Sequence, residues 1–138
     1  MCIFCKIVNN EIPSNVVLEN KKFLAFQDIN PKAPTHILII PKVHVESFNE
    51  VEPKIMKKMT KFIQDVTKKA SIEQSGYRLI TNIGEDGGQE VKHLHFHLLG
   101  GAKLAWPDLI DTSAKIDTAT KNDAVQKSNP HTKKKVKK

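Results

Sequence analysis

Apolar residues recur with two different periods along this chain, and the switches between them mark its elements. Val16-Val17-Leu18-Glu19 and Phe23-Leu24-Ala25-Phe26 flank Asn20-Lys21-Lys22, which predicts two strands joined by a tight hairpin turn. His36-Ile37-Leu38-Ile39-Ile40 is a strongly apolar strand that Pro41 should stop. From about Glu52 to Ala70 the spacing becomes helical. Ile55, Met59, Phe62 and Val66, with Met56, Ile63 and Ala70, form one stripe, while Lys57, Lys58, Lys61, Lys68 and Lys69 lie elsewhere. Pro53 suits the first turn of that helix. Tyr77 to Asn82 alternates as a strand, and Val91 to Leu99 reads as a final strand closed by Gly100-Gly101. Cys2 to Val8 fits a short helical turn or an edge segment. Glu11 to Ser14 and Asp28 to Pro34 read as connections on proline and Asx grounds. Strands, one long helix and more strands predict an α+β domain around an antiparallel sheet.

Composition narrows the picture. At 138 residues the chain fits one compact domain, and a hydrophobic content of 39% can build a core without disulfide staples. After Trp106-Pro107 the apolar content thins, so a folded domain is expected over residues 1–112 and a flexible, lysine-rich tail over 113–138. The net charge of +7 belongs almost entirely to that tail, where residues 115–138 carry eight lysines against Asp117 and Asp123. A nucleic-acid reading can therefore rest only on the tail, through Lys133-Lys134-Lys135-Val136-Lys137-Lys138, and not on the domain. No long apolar run and no leader pattern are visible, so a soluble, cytoplasmic protein is expected. Cys2 and Cys5 form a Cys-x-x-Cys pair. In a reducing compartment that spacing suits a metal knuckle or a redox pair, and the strand and long helix of a thioredoxin-type motif are missing around it.

The chemistry concentrates in His93-Leu94-His95-Phe96-His97. On a strand the three imidazoles would share one face at about 6.8 Å per step, with Leu94, Phe96 and Leu98 on the other. Such a row can bind metal, act as a nucleophile or sense pH. Gly87-Gly88-Gln89 just before it offers backbone amides where no Cβ obstructs a phosphate oxygen, and Asn82 offers a neutral amide donor. No Walker-type loop is present.

These residues resemble the histidine triad (HIT) family, in particular its branch of purine nucleoside phosphoramidases. The likeness runs from Cys2-Ile3-Phe4 through Asp28 to His36 and Gly87-Gly88-Gln89 to the triad, Gly100-Gly101 and Trp106-Pro107. It implies the HIT fold: a five-stranded antiparallel sheet, one long helix and a short N-terminal helix, with the sheet extended across a homodimer. It further implies that His95 attacks the α-phosphorus of a purine nucleoside 5′-phosphoramidate, giving a nucleotidyl-histidine intermediate that water hydrolyses. His97 would contact the phosphate, with His36 and His93 in the surrounding network. Asn82, Gly88, Gln89 and the Val91 amide would hold phosphate oxygens. Asp28 would bind the ribose hydroxyls, and Ile3, Phe4, Ile7, Ile12, Phe26 and Ile29 the purine. The Trp106 region would reach toward the partner's active site. No organic cofactor or catalytic metal is implied, but a structural zinc on Cys2, Cys5, His44 and His93 is.

The chain departs from the family pattern at Glu90, where many animal members carry serine, at Lys92, where an aromatic residue is common, and in the lysine-rich extension. Three other readings compete: a dinucleoside polyphosphate hydrolase with the same nucleophile, a non-enzymatic nucleotide-binding regulator acting through the tail, and a hydrolase using the three histidines as metal ligands.

Overall fold

The computed structural model describes residues 2–111; the lysine-rich extension and the expected boundary at 112 lie outside them. Residues 2–104 form one unit, and residues 105–111 belong to a second that contains no helix or strand among the described residues. The first unit runs α1 (Ile3–Val8), β1 (Val16–Glu19), β2 (Phe23–Gln27), β3 (Thr35–Pro41), α2 (Pro53–Lys69), β4 (Tyr77–Ile80) and β5 (Phe96–Gly100). The strands make one antiparallel sheet in the order β1-β2-β3-β5-β4.

Local chemistry explains the boundaries. The Asn20 carboxamide accepts from the amides of Lys22 and Phe23, which closes the β1–β2 hairpin. Helix α2 has Pro53 in its first turn and Lys68 and Lys69 in its last, where cations suit the carbonyl end. Its end is a Schellman turn: Ser71 adopts φ 61°, its amide bonds the Lys68 carbonyl, and the Ile72 amide bonds that of Thr67. Ile72, just beyond, is buried in the core, the apolar contact that usually accompanies such a turn.

The sheet has two different faces. Helix α2 lays Met59, Phe62, Ile63 and Val66 on one, against Phe23, Ala25, Ile37, Ile39, Phe96 and Leu98. This is the predicted stripe. The other face gathers Leu24, Phe26, Leu38 and Ile40 with Phe4 from α1.

Three strand limits differ from expectation. Strand β4 ends at Ile80, not Asn82, and Pro41 closes β3 from within, opposite Phe23. More consequentially, residues 91–95 lie outside the sheet, and β5 begins only at Phe96. Their backbone groups bond elsewhere: the Leu94 amide to the Val45 carbonyl, the His93 amide to that of Val91, and the His95 carbonyl to the Thr81 hydroxyl. The alternation of faces nonetheless holds, since Leu94, Phe96 and Leu98 all enter the helix-side core.

Candidate active site and metal-ligating cluster

His97 stands on β5 directly opposite Leu38 of β3 and Ile80 of β4, so its ring emerges on the face away from α2. His36, on β3 and on the same face, meets it with Nε2 2.9 Å from the His97 Nδ1. The Lys32 amide, which can only donate, bonds His36 Nδ1 at 3.0 Å. His36 must therefore carry its proton on Nε2 and donate it to His97, which assigns the His97 proton to Nε2. Asp28 Oδ2 lies 3.4 Å from the same His36 nitrogen, while Oδ1 accepts from the Asn30 amide and fixes the loop.

His95 precedes β5. Because its neighbourhood has left the ladder, the His93 carbonyl is available, and His95 Nδ1–H donates to it at 2.7 Å. That bond leaves Nε2 as the unprotonated nitrogen of the ring. The ring sits 5.1 Å from that of His97 and 5.1 Å, edge-on, from Phe4. Thr81 anchors the His95 backbone through its hydroxyl.

Burial keeps His36 and His97 neutral. It pushes the His97 pKa down to about 4, helped by the neighbouring His95 and His36 and opposed by Asp28. It also lowers His36, again against the pull of Asp28. Both groups thus stay uncharged near pH 7, as their hydrogen-bond chain requires.

An apolar cleft of about 360 Å³ opens beside the imidazoles, within the size range of small-molecule sites. Ile3, Phe4, Ile7, Phe26, Asp28 and Ile29 line it. Leu38 also does. Ile12 is half-buried and stands next to residues 13–15, which line the cleft.

The loop before the triad also differs from expectation. The Gly88 amide donates to the Glu85 carbonyl and the Gln89 amide to that of Gly84. The Gln89 side chain accepts from the Gly84 amide and donates to the carbonyls of Glu46 and Val91. Gly88 and Gln89 therefore shape the loop and are not free donors. Gly88 has φ 77°, a conformation that suits glycine. Asn82 is half-buried two residues beyond β4.

His93 serves a different centre. Its Nε2–H donates to the Pro41 carbonyl at 2.8 Å, turning Nδ1 toward Cys2 and Cys5 of α1 and His44. The Nδ1 lies 3.4 Å from Cys2 Sγ, 3.7 Å from Cys5 Sγ and 3.2 Å from His44 Nδ1, and Cys5 Sγ is 3.3 Å from His44 Nδ1. Tetrahedral zinc, with bonds of about 2.3 Å to sulfur and about 2.0 Å to nitrogen, sets its ligand atoms about 3.3–3.8 Å apart. The four residues fit such an ion, and four protein ligands would leave it no open position. Asp28, His36 and His97 form the other group of close ligand-type atoms among the described residues.

Lys32, Leu38, Pro41 and Thr81 escaped the sequence reading as site residues. Three of them act through backbone groups or a hydroxyl that no motif marks, and Leu38 is traceable only through its pairing with His97 and Phe26.

The HIT domain matches residues 9–104. This chain belongs to the HIT family. A solved HIT-like protein is 51% identical and superimposes with a TM-score of 0.72, covering 74% of this chain and 100% of that one. Among relatives of this HIT protein, the purine nucleoside phosphoramidase of Escherichia coli K12 is 44% identical over 105 residues, 74% of this chain and 88% of the relative. The 14 kDa zinc-binding protein of Zea mays is 47% identical over 110 residues, 76% and 85% of the two chains.

Proposed function

We propose that this chain is a nucleotide-binding hydrolase that cleaves purine nucleoside 5′-phosphoramidates. His95 Nε2 attacks the α-phosphorus, the phosphorus–nitrogen bond breaks, and the amine leaves with a proton from solvent, which the water consumed in the second step returns. Water then attacks the nucleotidyl-histidine, releasing the nucleoside monophosphate and freeing the imidazole. The observation that carries this reading is the His95 Nδ1–H bond to the His93 carbonyl, which presents Nε2 with its lone pair bare.

His97, its proton on Nε2, contacts the phosphate; His36 holds that tautomer and His93 supplies the carbonyl that orients His95. The Asn82 side chain and the Val91 amide hold phosphate oxygens, within a loop shaped by Gly88 and Gln89. Asp28 takes the ribose hydroxyls, and Ile3, Phe4, Ile7, Ile12, Phe26 and Ile29 take the purine, joined by Leu38 in the same cleft. The named activity of the Escherichia coli relative favours this substrate class over dinucleoside polyphosphates. Turnover of adenosine phosphoramidate against diadenosine triphosphate, measured side by side, separates the two.

The test of the mechanism is to trap the intermediate. Incubation with a labelled adenylate followed by mass spectrometry is expected to place the adduct on His95, and His95→Asn should bind nucleotide yet form none. An adduct elsewhere, or unchanged turnover by the variant, would sink the reading.

Cys2, Cys5, His44 and His93 hold a structural zinc in this proposal, supported by their spacing and by the zinc-binding relative. When bound it would tie α1 to the triad segment and supply no step of the reaction. The protein works as a homodimer, its partner docking along β4, an edge strand that exposes Tyr77 and Leu79. Sedimentation measures that state directly. No helix among the described residues is long and apolar enough to cross a membrane, and two cysteines not joined in a disulfide suit a reducing cytoplasm. The domain spans residues 1–112, and residues 113–138 are an accessory tail whose removal leaves hydrolysis intact.

A further inference from the structure

Helix α1 serves two sites at once. Cys2 at its N-cap and Cys5 in its first turn direct sulfur atoms into the cluster with His44 and His93. Ile3, Phe4 and Ile7, on the same helix, wall the apolar cleft. Phe4 touches both centres: its ring stands edge-on to His93 at 5.9 Å, to His95 at 5.1 Å and to Phe26 at 5.7 Å. A helix of 6 residues is well below the length at which helices hold themselves in water. Phe4 is its one fully buried residue, with Ile7 and Val8 only partly buried against the same cluster, so its place on the sheet depends on these few contacts and on whatever holds the two thiols.

We propose that zinc held by Cys2, Cys5, His44 and His93 tightens nucleotide binding by fixing α1 as the wall of the cleft, with Phe4 as the positioning residue that carries the coupling. The inference rests on the nucleotide reading of the cleft given above. Without the ion, α1 frays from the sheet, and a nucleotide must order Ile3, Phe4 and Ile7 as it binds. With the ion that ordering is already complete, and affinity rises. Linkage makes the effect mutual, so the nucleotide must strengthen zinc binding by the same factor. Site-to-site couplings commonly fall at about 5–150-fold, and about tenfold is expected here.

Full-chain protein, zinc-loaded and zinc-free, is titrated with AMP by calorimetry, and zinc affinity is measured against a chromophoric chelator with and without saturating AMP. About tenfold tighter AMP binding in the loaded form, matched by an equal gain in zinc affinity, is the expected result. His44→Ala, which removes a ligand outside the cleft, should show the zinc-free AMP affinity even with zinc in solution. Phe4→Leu should keep zinc but shrink the ratio. Equal AMP affinities with zinc demonstrably bound overturn the coupling and leave the nucleotide reading standing; AMP binding to neither form overturns that reading as well. If the zinc-free protein unfolds, the loaded form still decides: AMP must slow both amide exchange in α1 and zinc release to excess chelator, and unchanged rates count against the coupling.

Discussion

His36 donates to His97, and the direction of that 2.9 Å bond is imposed from outside the pair by the Lys32 amide on the far nitrogen of His36. Replacing His36 by phenylalanine removes the donor and lets His97 place its proton on either nitrogen. We expect kcat to fall about 10²-fold, the scale of a lost proton-handling group, with KM affected less. Nitrogen NMR of His97 is the accompanying check. A single retained tautomer would show that His36 does not set it.

His95 supplies the attacking nitrogen in the proposed reaction, so no neighbouring imidazole replaces it. His95→Asn should lower turnover on the order of 10⁴-fold or more, as expected when a covalent nucleophile is removed. Nucleotide affinity should survive, since the cleft walls are untouched. Single-turnover assays beside equilibrium binding separate the two effects.

Acid should destabilise the fold before the ordinary carboxylate range is reached. An unfolded His97 titrates near 6.5, but burial holds the folded group at about 4. Between those values the unfolded chain binds the extra proton, so stability is complete above about pH 6.5 and declines as pH falls toward 4. His36, also lowered by burial, acts in the same direction. Denaturant midpoints measured across this window should drop with acid, and His97→Gln should flatten the slope. A wild-type midpoint that ignores pH would contradict the neutral His36–His97 pair.

The loop at Gly87-Gly88-Gln89 should be less tolerant than its exposure suggests. A Cβ on Gly87 would press into the Ile83 carbonyl and come 2.8 Å from the Ile83 amide nitrogen. Gly87→Ala should therefore move the loop and cut kcat/KM by about 10²-fold, the scale of a misplaced positioning element, while the melting temperature shifts by only a few degrees. Circular dichroism and steady-state kinetics on one preparation test both halves.

Much of this was legible in the chain. The stripe from Ile55 to Val66 announced a helix because 3.6-residue spacing has one physical use there, and the Asn20 turn followed from side-chain chemistry. The imidazoles were visible as a group and their faces were right. Their backbone was not, because alternation looks the same whether or not a neighbouring strand is there to pair with. Leu94 and His95 leave the ladder through Val45 and Thr81, partners distant in sequence or unmarked by any motif. Gln89 is ambiguous in sequence for a related reason. A carboxamide can serve ligand or loop, and only the Gly84, Glu46 and Val91 groups around it reveal which.

On β3 and β5, core residues and imidazoles are interleaved: Ile37, Ile39, Phe96 and Leu98 point to α2, while His36 and His97 point away. A single inserted or deleted residue within either strand would exchange the two sets, driving imidazoles under the helix and aliphatics into the cleft. Such a frameshift of side chains abolishes folding and chemistry in one step. These two strands can drift by substitution, but never in length.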